Sequence, residues 1–316
     1  MKVLMRQRDL SDEYILFAQQ IGADGIDIHN CESVPGCVEQ GYPDREGLGA
    51  IVQKLRQAGL GLFRVAPCEP LRYLRGEAGG EEEVDNLVKT IQVFGALGIP
   101  FMSVPIHLIN PGHRGGILHV HRGGYTMHGF ELEKMEKSLA AEPLAEKVTI
   151  DEWWDRCVEL YKQLVPVAEN HNVKLITHPA DPPLPTADAS PRRWLALMEA
   201  VPSEHNGLLY CIGTRYESGV DILADIRSFA LKGLIFHTHI RNVRGQIPTA
   251  GGYEEVAMSD GDMNLFKVLS TLREVGFDGG LQIDHLPNYN ADDSHQKIAA
   301  AFAVGYVKAL LATLNG

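Results

Sequence analysis

Eight short β-branched or apolar runs, each followed by a longer amphipathic stretch, recur along this 316-residue chain, and no other feature restricts its fold so tightly. The runs fall near Val3–Arg6, Gly25–Ile28, Gly61–Val65, Phe101–Pro105, Val173–Thr177, Leu208–Tyr210, Leu234–Thr238 and Leu281–Ile283. Helical spacing of apolar residues covers Glu13–Gln20, Glu46–Gln57, Glu81–Leu97, Asp151–Glu169, Arg192–Ala200, Asp221–Leu231, Met263–Glu274 and His295–Leu314. Gly59, Gly98 and Pro202 stand where helices should stop. Strands that alternate with helices run parallel, because each crossover returns the chain to the same edge of the sheet. Eight such units favour closure into a (β/α)8 TIM barrel of the α/β class, spanning residues 1–316 as one domain. A doubly wound sheet would want a Gly-rich phosphate turn after the first strand, and Gln7-Arg8-Asp9-Leu10 stands there instead.

Composition narrows the function classes. At 45% apolar residues the chain can bury a full core. A formal charge of −12 without a Lys/Arg run excludes a phosphate-backbone surface, so no nucleic acid is expected. Five cysteines, an odd number thinly spread, predict reduced thiols. The N-terminal segment has one short apolar run before charge returns, and no stretch approaches the roughly 20 apolar residues of a bilayer span. A cytoplasmic protein without a membrane partner is the expectation. The largest irregular stretch, about 107–148, is rich in Gly and His and follows the fourth strand, so it should hang as a long loop over the barrel mouth.

Barrels of this kind carry their chemistry at the C-terminal ends of the strands. Four consecutive ends offer metal ligands: His178, Cys211, His239 and Asp284. Each is separated from the next by room for one helix and one strand. Neighbouring strands lie roughly 4.7–4.9 Å apart, so the four side chains can converge on one divalent ion. Imidazole, thiolate and carboxylate suit Zn2+, Fe2+, Co2+ or Ni2+, and Mn2+ where substrate oxygens complete the shell. Strand alternation puts His237, His239 and Arg241 on one face, which makes Arg241 a candidate for capturing a substrate carboxylate. His285, next to Asp284, is placed to act as general acid or base. Glu255 could be a site carboxylate or a helix-start residue. His119-Val120-His121 offers a weaker metal-ligand pair.

The ordered motifs resemble the mannonate dehydratase family. The segment His178-Pro179-Ala180-Asp181-Pro182-Pro183 looks like its His-Pro-x-Asp-Pro-Pro signature, and Tyr210-Cys211-Ile212-Gly213 like its Phe-Cys-x-Gly. His239-Ile240-Arg241-Asn242 is similar to its His-x-Arg-Asn element, Tyr253-Glu254-Glu255 with Gly261-Asp262-Met263 to its Phe-x-Glu and Gly-Asp-x-x-Met stretch, and Asp284-His285 to its Asp-His. Departures exist: the family's Arg-Pro-Asp-His-Gly becomes Gln282-Ile283-Asp284-His285-Leu286, Met258 stands where a His is expected, and Tyr289 is the only substitute for a downstream Tyr.

The resemblance implies a xylose-isomerase-like barrel with one divalent metal, commonly Mn2+, on His178, Cys211, His239 and Asp284. It further implies a homodimer that removes water from a sugar acid such as D-mannonate to give a 2-keto-3-deoxy acid. His285 would move a proton, Arg241 would neutralise substrate charge, and His237, Glu255 and Tyr289 would join Arg241 in binding the substrate. Other readings accompany this one: an isomerase or epimerase of the same barrel type, a β-eliminating lyase on another sugar derivative, and a non-catalytic sugar-binding or regulatory barrel.

Overall fold

In the computed structural model, which describes residues 1–315, the expected strands close into one parallel barrel. Twelve strands are present among the described residues: β1 (Lys2–Arg6), β2 (Gly25–Ile28), β3 (Gly61–Val65), β4 (Phe101–Ser103), β5 (Gly116–Val120), β6 (Thr126–Glu131), β7 (Lys174–Thr177), β8 (Asn206–Cys211), β9 (Ile235–Ile240), β10 (Asn242–Arg244), β11 (Gly252–Val256) and β12 (Gly280–Ile283). The barrel runs β1-β2-β3-β4-β7-β8-β9-β12 and closes through β12 pairing with β1, Lys2 opposite Gly280. Strands β2, β8 and β12 are buried along their whole length, as expected of strands covered on both faces.

Local sequence explains where the helices start and stop. The helix Ile150–His171 begins at a capping box in which Thr149 and Glu152 satisfy each other's backbone N–H groups. Helices Arg45–Gln57, Ile222–Leu231 and Leu265–Glu274 begin at Asp44, Asp221 and Asn264, whose side chains accept from backbone N–H groups of the first turn. The helix Gly80–Leu97 ends at Gly98, whose φ of 70° lets its N–H turn back onto the Phe94 and Gly95 carbonyls. Trp153 and Trp194, both fully buried, fill the layer between helices and barrel and donate their indole N–H groups to the Ile106 and Thr177 carbonyls.

Two expectations need correction. The stretch 107–148 is not a structureless loop. Strands β5 and β6 form a hairpin inside it, helix Leu132–Ala141 follows, and β6 pairs with β11 in a four-stranded antiparallel sheet of order β10-β11-β6-β5. Tyr253 and Phe130 stack across that pairing with ring centroids 6.0 Å apart. Glycine and histidine hid the strand periodicity here, because the sheet needs glycines where its backbones approach closely. A Cβ on Gly129 would stand 2.5 Å from the Tyr253 carbonyl oxygen.

The C-terminal helix Lys297–Asn315 is the second correction. Its residues 297–314, with a mean hydropathy of 1.5, are long and apolar enough by length and composition to cross a bilayer, although no such stretch was expected. Its alanine content raises hydropathy without the bulky run that marks a span by eye. One side, through Ala299, Ala300, Ala303, Val304 and Val307, is buried in the barrel's outer layer.

Candidate metal centre and active site

The ends of β7, β8, β9 and β12 meet at the barrel mouth beneath the antiparallel sheet. There, ligating atoms of His178, Cys211 and His239 all lie within 4.8 Å of one another. The Asp284 carboxylate joins them, with one oxygen 3.6 Å from His239 Nδ1 and the other 3.9 Å from Cys211 Sγ. His178 Nδ1 donates to the Pro179 carbonyl at 2.6 Å, which fixes the tautomer and leaves Nε2 with its lone pair. Burial lowers the His178 pKa to about 4 and holds His239 far below the usual histidine range, so both rings are neutral, as ligands must be. Both ring nitrogens of His239 are buried and have no hydrogen-bond partner among the described residues. Burial pushes the Cys211 thiol up, while the Thr214 hydroxyl 3.0 Å away is placed to donate to sulfur. An imidazole with two orphaned nitrogens facing a thiol and a carboxylate is a donor set that fits a divalent ion of borderline softness.

Around this cluster lies a network centred on Arg241, and it corrects the role expected of that residue. Arg241 is 1% exposed. Its Nη2 donates to Asp181 at 2.8 Å, to Glu217 at 2.9 Å and to Thr214 at 3.0 Å. Its Nη1 donates to Asp284 at 3.2 Å and stands 3.3 Å from Glu255. A guanidinium committed to four carboxylates has no fork left for a substrate. It binds the ends of β7, β9, β11 and β12 and the helix Ile212–Glu217 to one another. Gly213 is required beside it, since a Cβ there would meet Arg241 Cγ at 2.4 Å.

His285 sits at the edge of this network with its side chain 36% exposed. Its Nδ1 donates to Glu255 Oε1 at 2.6 Å, leaving Nε2 as the end that can exchange a proton with a ligand. Arg241 Nη1 is 2.9 Å from the same nitrogen; with Nδ1 already donating, that guanidinium serves the carboxylates instead. Burial works against the charged ring, but Asp284 and Glu255 outweigh it and raise the His285 pKa. Glu255 is thus brought against His285 by β11 of the antiparallel sheet and does not stand at a helix start. Tyr253 of the same strand donates its hydroxyl to Asp181 at 3.1 Å.

His237 and Tyr289 do not reach the site. His237 is wholly buried in the barrel interior and bonds through Nε2 to Asp27 at 2.6 Å. Alternation keeps it on the face of His239 but two residues deeper, below the mouth. Tyr289 packs edge-on against Tyr125 in a small satellite cluster with Met127 and Ala257. His119 and His121 face Glu254 of the antiparallel sheet, at 3.5 and 3.8 Å.

A cavity of about 240 Å³ opens above the cluster, lined on one side by His178, Asp181, His239, Asp284 and His285, and on the other by Arg6, His29, Arg64, Ser103 and His107. The second group went unnoticed in the sequence. It was findable: Arg6 ends β1, His29 follows β2, Arg64 is next to last in β3 and Ser103 ends β4, so the same strand-end rule that selected the metal ligands covers them. Asp181 was also within reach, three residues beyond His178 in the same motif.

Compared with known proteins, residues 113–315 match the family model described as D-mannonate dehydratase (UxuA). A mannonate dehydratase of Brachyspira hyodysenteriae is 24% identical over 76% of this chain and 77% of its own length. The chain spans about half the length, 45–47%, of further bacterial mannonate dehydratases that it matches. Among solved structures, mannonate dehydratase from Streptococcus suis serotype 2 superposes with a TM-score of 0.80 at 22% identity, covering 99% of this chain and 96% of that one. A xylose isomerase domain protein from Planctomyces limnophilus follows at 0.65 and 16%, covering 98% and 96%, and the barrel is thus of the xylose-isomerase-like kind.

Proposed function

The chain belongs to the D-mannonate dehydratase family, and from that premise we propose that it is a metal-dependent hydro-lyase acting on a sugar acid, with D-mannonate the first candidate. One observation carries the chemistry: ligating atoms of His178, Cys211 and His239 lie within 4.8 Å of one another with the Asp284 carboxylate beside them, next to a cavity that a partly exposed His285 also lines. These four residues would hold one divalent ion, Mn2+ before Fe2+, Co2+, Ni2+ or Zn2+. Bound there, such an ion would supply positive charge beside the substrate's reacting carbons, which would make the C–H next to the carboxylate more acidic.

The protein's own groups handle the proton. In the reaction the C2 proton leaves to a base, the C2–C3 double bond forms as the C3–O bond breaks, and the departing hydroxide is protonated to water; the enol then ketonises to a 2-keto-3-deoxy acid. His285 moves a proton at Nε2, steered by Glu255 on Nδ1. Arg241 acts as a positioning residue, holding Glu255, Asp284 and Asp181 in place. We further propose a single-domain homodimer located in the cytoplasm.

Purified protein loaded with Mn2+ and incubated with a panel of aldonic acids should form a 2-keto-3-deoxy acid, and His285→Asn should abolish it while leaving metal content intact. Deuterium uptake at C2 without loss of water would replace this reading with an epimerase; absence of both would remove catalysis on sugar acids altogether.

A further inference from the structure

The two cavity walls differ in charge, and the wall opposite the metal ligands has cationic groups that nothing in the protein fully satisfies. Arg64 is 2% exposed, yet its Nε has no hydrogen-bond partner among the described residues. The nearest carboxylate, Asp27, stands 3.6 Å away and is already held by His237 at 2.6 Å. Arg64 Nη2 reaches only the neutral Gln282 amide, at 3.4 Å. Arg6 lines the same cavity, and no carboxylate among the described residues lies within 4 Å of it. His29, between them on the neighbouring strand, bonds to the Gln282 amide and is kept neutral by burial and by the two arginines.

A buried guanidinium without a full partner is costly, and two facing one small cavity repel each other. A carboxylate entering the cavity would relieve both, since a planar fork matches its two oxygens. Arg241 differs, because both its terminal nitrogens already serve carboxylates of the protein and only its Nε is without a partner. Both Arg6 and Arg64 lie outside residues 113–315, so the family match does not speak to them.

We infer that Arg6 and Arg64 form the carboxylate-binding wall of the cavity and make it select acids over uncharged sugars. This rests on the proposed lyase reading for its substrate class. The test measures binding apart from turnover. The 3-deoxy analogue of D-mannonate, which has no C3 hydroxyl to lose, and its uncharged amide are titrated calorimetrically into the Mn2+-loaded protein. Wild type should prefer the acid by roughly 10- to 100-fold. Arg6→Met, at a position with no acidic partner to strand, should abolish most of that preference and leave amide binding unchanged. Arg64→Lys, which keeps the charge and spares Asp27, should reduce it by loss of the fork. Equal binding of acid and amide to wild type, or an unaltered preference in both variants, overturns the assignment. Acid-selective binding without dehydration of any aldonate would keep this wall and discard the lyase reading, and dehydration without charge preference would do the reverse.

Discussion

Asp188 shows how single residues set the shape of the cavity. It is fully buried, and its carboxylate accepts from the backbone N–H groups of Leu108, Ile109 and Ala189 while facing His107 Nδ1 at 3.3 Å. One side chain thus ties the segment after β4 to the segment after β7, and His107 to the cavity wall. Burial alone would raise its pKa, but His107 and the N–H donors outweigh it, and the carboxyl is held below its ordinary value. A group depressed in the folded state stabilises fully above its unfolded pKa, near 3.8, and loses that contribution as pH falls through the lower folded value. Asp188→Asn should therefore cost about 2 kcal/mol in urea unfolding at pH 7. The gap to wild type should narrow as the pH drops below about 4; a gap independent of acid would mean that the carboxylate charge is not what holds these segments together.

At the scale of elements, the antiparallel sheet supplies one side of the candidate site and the barrel supplies its floor. Strand β11 carries both Glu255 and Tyr253, and its position depends on β6, whose Phe130 carbonyl would meet a Cβ on Gly252 at 2.1 Å. Gly252→Ala must push β11 off β6 and tilt Glu255 away from His285. We expect kcat to fall on the order of 10²-fold, the scale of a misplaced acid–base partner, with the far-UV spectrum and thermal midpoint of the barrel nearly unchanged. Retention of full activity would show that β11 does not need β6 to aim Glu255. This sheet was the least legible element in the sequence. Its central pairing, β6 with β11, joins residues more than 120 positions apart, and HRGGYTMHGF has no apolar alternation that survives its glycines.

For the whole molecule, the ion couples stability to function. A folded state that binds a cation on four preformed donors is stabilised by about 2.7 kcal/mol when the free ion stands at a hundred times its Kd. Chelation should accordingly lower the thermal midpoint by a few degrees, and Mn2+ should restore it. Cys211→Ser should bind Mn2+ more weakly and show a smaller restoration; an identical midpoint with and without chelator would mean no ion is held.

The eight strands, their parallel order and the place of His178, Cys211, His239 and Asp284 at the mouth were already determined by the chain's own pattern, because each follows from periods of 2 and 3.6 residues and from the rule that strand ends share one face. What His237, Arg241 and Tyr289 do was decided only by tertiary structure. Depth in the barrel puts His237 against Asp27, the terminal nitrogens of Arg241 are held by carboxylates from four separate segments, and Tyr289 is drawn into a satellite cluster. Whether a charged side chain meets a substrate or another side chain depends on which distant residues the fold brings within 3 to 4 Å of it, and one-dimensional spacing carries no record of that distance.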